Sequence, residues 1–101
     1  MKYSEVKKLV RKKSQVKLEE FTYTTIYSHM DGSRCEFENS FIEQFDEYVA
    51  IYTEHHGYFI YHWTDLATLV TLNTVTKEIV DYKDRIYYYD SLPPEVSQLT
   101  N

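Results

Sequence analysis

The hydrophobic period changes once along this chain. Up to residue 16 the apolar side chains recur every third or fourth position, and from Leu18 they recur mostly every second. The first spacing lays apolar groups along one stripe of a helix, and the second lays them on one face of a strand. The order therefore predicts one N-terminal helix followed by a sheet, antiparallel because the connections between runs are short. The fold class expected is α+β, with about five antiparallel strands and a further helix or strand pair near the C-terminus. At 101 residues the chain sits near the commonest size of one domain, spanning 1–101. Within it, 1–17 reads as a basic helix, 18–73 as the antiparallel sheet region and 74–101 as a helical or mixed segment.

Helix 4–16 carries Val6, Leu9, Val10 and Val16 on its stripe. Ser4 is placed to cap it, Glu5 lies in the first turn, and Arg11, Lys12 and Lys13 lie near the end that attracts cations. The run 21–29 is rich in β-branched and aromatic residues, and Asp31-Gly32 supplies a hairpin turn. A two-residue turn there pairs Ile26 with Phe37 and Ser28 with Cys35 on the core face. It leaves Tyr27 with Glu36 and Thr25 with Glu38 on the outer face. Ser40-Phe41-Ile42-Glu43 matches a capping box, which predicts a short helix over 40–47 with continued strand as the alternative.

Two apolar-aromatic runs, 48–53 and 58–63, flank a hairpin loop at 54–57. Thr64-Asp65 turns the chain into a further strand at 66–72. The stretch 74–89 fits either a helix, favoured over its first half, or strands joined at Lys83-Asp84. Pro93-Pro94 ends whatever precedes it, and 94–99 fits one terminal turn. A helix followed by about five short strands, with a Thr-Asp turn between Tyr58 and Leu72, resembles small Sm-like or SH3-like barrels. That resemblance implies a half-barrel topology and no particular activity.

Charge is divided as sharply as periodicity. Residues 1–17 hold seven bases against Glu5, a net of +6, whereas 18–101 hold fifteen acids against Arg34, Lys77, Lys83 and Arg85, a net of −11. Such asymmetry sets a potential over a whole surface and points to association. No run of about eighteen apolar residues spans a bilayer, so no membrane role is expected. Nor does the N-terminus have the layout of a signal peptide. With a single cysteine, Cys35, no internal disulfide forms, and the expectation is a reducing, cytoplasmic compartment.

Catalytic motifs are sparse. Two glycines hardly build a phosphate loop, and no nucleophile motif surrounds Cys35, which reads as a core or half-buried thiol. His29, His55, His56 and His62 match no zinc spacing, so no metal or other cofactor is expected. Glu36, Glu38, Asp65 and His62 are acid–base candidates only in the sense that any acidic chain supplies them.

Tyrosine carries the remaining signal, with eleven in the chain. Its ring gives contact area at low entropic cost and is enriched at binding hot spots. The expectation is a non-enzymatic interaction protein whose acidic, tyrosine-rich face meets a basic protein surface. Glu36, Glu38, Asp46, Glu47 and Glu54 supply the charge, and Tyr23, Tyr27, Tyr52 and Tyr61 the anchors. In size, acidity and lack of enzyme motifs the chain resembles inhibitors encoded by phages and mobile elements, of the anti-CRISPR, anti-restriction and DNA-mimic types. That resemblance implies action in a host cytoplasm. Two alternatives stand beside it: a nucleic-acid-binding regulator contacting phosphates through Lys7, Lys8, Arg11 and Lys12, and an enzyme of unrecorded type. A homodimer is compatible with all three.

Overall fold

The computed structural model describes residues 1–15 and 22–84. Helix α1 (Tyr3–Ser14) is followed by β1 (Tyr23–His29), β2 (Arg34–Gln44), β3 (Tyr48–Thr53), β4 (Tyr58–His62), a 3₁₀ turn (Trp63–Asp65), β5 (Leu66–Asn73) and β6 (Ile79–Asp84). The six strands form one antiparallel sheet in the order β4-β3-β2-β1-β5-β6. The expected α+β class is therefore present; among the described residues β1 to β5 fall on the five runs expected as strands, and β6 is the first of the strand pair that is the alternative for 74–89. The expected strand at 85–89 and turn at 94–99 lie outside the described residues.

The sheet curls. The rings of Tyr27 on β1 and Tyr61 on β4 stack with centroids 4.3 Å apart, although their strands are separated by three spacings, about 14 Å in a flat sheet. Curling closes a core around Tyr27, Val49, Ile51, Trp63, Leu66 and Leu69, with Phe37, Ile42, Phe59 and Tyr61 packed against it. A second cluster lies on the other face of β3 and β4. There Val6 and Val10 of α1 meet Ala50 and Tyr52, flanked by Phe41, Tyr48, Tyr58 and Ile60.

The helix is fastened at both ends of that contact. Tyr3 packs on Tyr48 at 5.5 Å between centroids, and the amino terminus pairs with Asp46 at 3.4 Å. At the far end Lys13 pairs with Glu43 at 3.3 Å and lies over the Phe41 and Tyr52 rings. Two details differ from expectation. The N-cap is Lys2, whose side chain makes no capping bond, because the helix starts one residue ahead of Ser4. Leu9 is 48% exposed, since Val6 and Val10 alone fill the narrow contact with β3.

The hairpin β1–β2 has a three-residue loop, Met30-Asp31-Gly32, instead of two. His29 N donates to the Ser33 carbonyl at 2.8 Å, and Gly32 takes φ +92, the left-handed residue such loops require. Ser33 N and Oγ both donate to Asp31 Oδ1, at 2.8 and 2.6 Å, which fixes the turn and holds the Asp31 carboxyl below the usual range. The extra residue shifts the register by one. Tyr27 faces Cys35, Thr25 faces Phe37 and Ile26 faces Glu36. Each β1 side chain thus changes face, and Tyr27 enters the core while Ile26 leaves it.

No helix forms at 40–47. Strand β2 continues to Gln44, sending Phe41 to the helix-side cluster and Ile42 to the inner core, as period two requires. The Ser40 hydroxyl that would cap a helix closes a bulge instead. It is fully buried, donates to the Phe37 carbonyl at 2.8 Å and lies 2.8 Å from Thr25 Oγ1, while Asn39 adopts φ 51. The helix favoured over the first half of 74–89 is also absent. Residues 74–76 form a turn held by Asn73 Oδ1, which accepts from the Val75 and Thr76 amides, and β6 follows. Lys83 on β6 is buried and pairs with Asp81. Pairing with β5 outweighs the helical spacing of that segment.

Candidate functional site

Two places bring chemistry-bearing side chains together. The first is a cleft of about 470 Å³ beside the opening half of β2. Strand β3 joins β2 only from Ser40 onward. Among the described residues, Arg34–Asn39 therefore has β1 on one side and no strand on the other. The hairpin loop 54–57 bends over this gap, and Glu54 N donates to the Asn39 carbonyl at 3.1 Å. Gly57 at φ +76 and the Thr53 hydroxyl, which donates to the Gly57 carbonyl and accepts from His56 N, shape the loop.

Phe37 and Phe59, with ring centroids 4.8 Å apart, form the apolar part of this cleft. Glu36 and Glu38 line it with exposed carboxylates that make no ion pair among the described residues, and His55 and His56 line its loop side. Glu54 is exposed and meets His55 at 3.7 Å. Carboxylates beside aromatic faces suit a Lys or Arg side chain, which gains charge pairing at its head and ring contact along its stem.

Other residues expected in a partner-binding face are spread apart. Asp46 and Glu47 are exposed in the β2–β3 turn, beside α1. Asp46 answers the amino terminus, and its own backbone amide, followed by that charge, holds its carboxyl below the usual range. Tyr27 and Tyr52 are buried, at 0% and 1% exposure, so neither offers its ring to a partner. The Tyr52 hydroxyl donates to Glu43 Oε1 at 2.6 Å, and burial together with that carboxylate pushes its pKa up. Tyr61 is half-buried and turned inward onto Tyr27, and Tyr23 is half-buried at the start of β1. Tyr27 and Tyr52 thus serve as core residues with a polar tip, which the strand propensity of tyrosine alone provides.

The second place is the rim where the β1–β2 loop meets the 3₁₀ turn. Met30 N donates to the Asp65 carbonyl at 2.9 Å and ties the two segments together. His29 Nδ1 lies 2.6 Å from Asp65 Oδ2, and His29 Nε2 lies 3.6 Å from Cys35 Sγ. Rings of Tyr27 and Tyr61 pack on the imidazole at 4.7 and 5.3 Å. Burial, then the neighbouring Cys35 thiol, pushes Tyr61 up to about 12, and burial, then Asp65, raises Tyr27 as well.

In the sequence Cys35 reads as an isolated thiol, and the register explains why. With a two-residue turn His29 and Cys35 point to opposite faces; with the observed pairing they are diagonal neighbours on one face. His62, an acid–base candidate, plays a local structural part. Its Nδ1 accepts from Thr64 N at 3.1 Å and caps the 3₁₀ turn. Among the described residues no group of three His, Cys, Asp or Glu side chains is arranged to hold a metal ion. Nor is any described helix long and apolar enough to cross a membrane.

On the basic side, Lys7, Lys8, Arg11 and Lys12 are all exposed on α1. Three of them line a shallow hollow of about 380 Å³ with Ser4 and Glu5. None makes an ion pair among the described residues, in contrast to Lys13. Comparison with protein families, with curated proteins and with solved structures returns no match.

Proposed function

We propose that this is a non-enzymatic interaction protein that takes a basic segment of a partner protein into the cleft beside β2. The supporting observation is the pairing of two uncompensated carboxylates, Glu36 and Glu38, with the Phe37–Phe59 ring pair at an open strand edge. An extended basic peptide laid along Arg34–Asn39 gains main-chain hydrogen bonds from that edge and side-chain contacts from the cleft. The acidic net charge beyond residue 17 steers such a partner toward the sheet. The partner class is a protein whose basic surface otherwise holds nucleic acid, as for inhibitors of the DNA-mimic type that phages and mobile elements encode, acting in the host cytoplasm.

The half-barrel reading of the fold, Sm-like or SH3-like, is part of the same proposal. It is supported by the strand order β4-β3-β2-β1-β5 and the short helical turn between β4 and β5. It concerns topology and brings no activity with it.

Calorimetric titration with an extended Lys/Arg peptide tests the cleft. Binding weakens as salt rises, and the double substitution Glu36→Lys/Glu38→Lys abolishes it. Unchanged affinity in that variant excludes this surface. The exposed bases on α1 favour one second reading, nucleic-acid contact through Lys7, Lys8, Arg11 and Lys12. An electrophoretic shift with a steep salt slope, lost on replacing those four, would establish it.

A further inference from the structure

We propose that Cys35 is a nucleophilic thiol that accepts an acyl group from an activated ester or thioester, with His29 as its base and Asp65 as the residue positioning His29. The inference goes beyond the binding cleft and does not rest on it. The geometry carries it. The only cysteine of the chain lies 3.6 Å from one nitrogen of an imidazole whose other nitrogen lies 2.6 Å from a carboxylate. That is the order nucleophile, base, orienting group on which activated nucleophiles are built.

The roles follow from the contacts. In the tautomer with its proton on Nδ1, His29 donates to Asp65 Oδ2 and its Nε2 lone pair faces the thiol. The imidazole is 15% exposed and packs edge-on against the stacked Tyr27 and Tyr61 rings, so its direction is fixed by packing as well as by Asp65. Cys35 is half-buried and the Asp65 carboxylate 45% exposed, so the rim is open to a small electrophile. The Asp65 backbone is held independently by the Met30 amide.

The step balances without oxidant or metal. The Sγ–H proton passes to His29 Nε2 as Sγ bonds to the acyl carbon. The tetrahedral adduct then collapses, the carbon–oxygen or carbon–sulfur bond to the leaving group breaks, and the leaving alkoxide or thiolate takes the proton from Nε2. The products are S-acyl-Cys35 and an alcohol or thiol. Besides Asp65, the titratable groups facing this pair are Tyr27 from β1, Tyr61 from β4 and Asp31 from the hairpin loop, whose charge is felt at His29. The facing residue of β5, Leu66, is apolar.

The full-length chain is treated with p-nitrophenyl acetate and, in a second arm, with S-phenyl thioacetate. Peptide mass mapping follows the acetyl group, and the donor that reacts faster names the source. The expected result is one acetyl on Cys35, formed about tenfold or more faster in the native chain than in the same chain unfolded in denaturant. His29→Gln, checked for native circular dichroism, loses that advantage. Asp65→Asn displaces the pH–rate profile of acetylation, a readout that a purely structural carboxylate leaves in place. Cys35 reacting no faster folded than unfolded overturns the proposal, and so does wild-type reactivity in folded His29→Gln. The native-against-denatured comparison decides even where a variant does not fold.

Discussion

The two flanks of this sheet solve the same problem differently. At the β3–β4 flank, Val49, Ala50, Ile51 and Tyr52 are consecutive and all essentially unexposed, because α1 covers one face and the curl of the sheet covers the other. At the β6 flank, Ile79, Val80 and Tyr82 are 64%, 54% and 54% exposed, although each is a good strand former. A continuous apolar run in a strand records burial on both faces, and only the first flank meets that condition. The contrast teaches that apolar content marks a strand, while what packs above and below it decides how much stability it returns. The acidic edge of β2 left unpaired among the described residues lies between these flanks, beyond the point where β3 ends opposite Ser40.

The largest expected effect tests the covered flank. Ile51→Ala removes a fully buried side chain from the inner core and should cost about 2–5 kcal/mol by the transfer and cavity terms together. Urea unfolding measures it at an unchanged slope. A loss under about 1 kcal/mol would mean that the curl is looser than the Tyr27–Tyr61 stacking distance requires.

Alkaline pH sharpens the same contrast through the tyrosines of the covered region. Tyr61 has its folded pKa raised to about 12 from the ordinary 10, and burial raises Tyr27 and Tyr52 as well. A raised phenol favours the folded state while the unfolded chain keeps its proton, so this stability is fully present below pH 10. It is lost as pH climbs from 10 through 12, because the unfolded chain ionises first. Denaturation midpoints should hold to about pH 9 and then fall, with tyrosinate absorbance rising together with unfolding. A smooth tyrosinate titration near pH 10 in a still-folded chain would show these hydroxyls to be solvated.

Much of this architecture is legible because it is local. The helix at 3–14 and the strands at 23–29, 48–53, 58–62 and 66–73 follow from period, turn residues and β-branching in windows of a few residues. Expectation and structure part where a local signal has two uses. Ser40 suits a helix cap and a bulge equally, and the bulge prevails because Phe41 and Ile42 serve opposite faces of the sheet. Asp31-Gly32 suits a two- or a three-residue loop, and the choice turns every side chain of β1 over. That single shift moves Tyr27 from an expected binding surface into the core. It also hides the approach of His29 to Cys35. Asp65 is further out of reach, since it arrives through the β1–β5 pairing, a long-range contact with no sequence marker. The acidic pair Glu36 and Glu38 keeps its exposure, because alternation on β2 puts both on the outer face in either register.

The smallest expected effect bears on the open flank. Ile79→Ser and Tyr82→Ser remove apolar groups that are already more than half in water, so each should change stability by no more than about 0.5 kcal/mol. Among the described residues strand β6 is the last in the sheet order, and such edges invite pairing with another chain unless something blunts them. Of the charges on this strand, Asp81 is 42% exposed, Asp84 is half-buried and Lys83 is buried against Asp81, which blunts the edge only in part. Destabilisation above about 1.5 kcal/mol, growing with protein concentration, would therefore mean that a second copy covers the flank. The comparison between flanks would then hold for the isolated chain and fail for the assembled one, which sedimentation equilibrium of the wild type would reveal as a dimer.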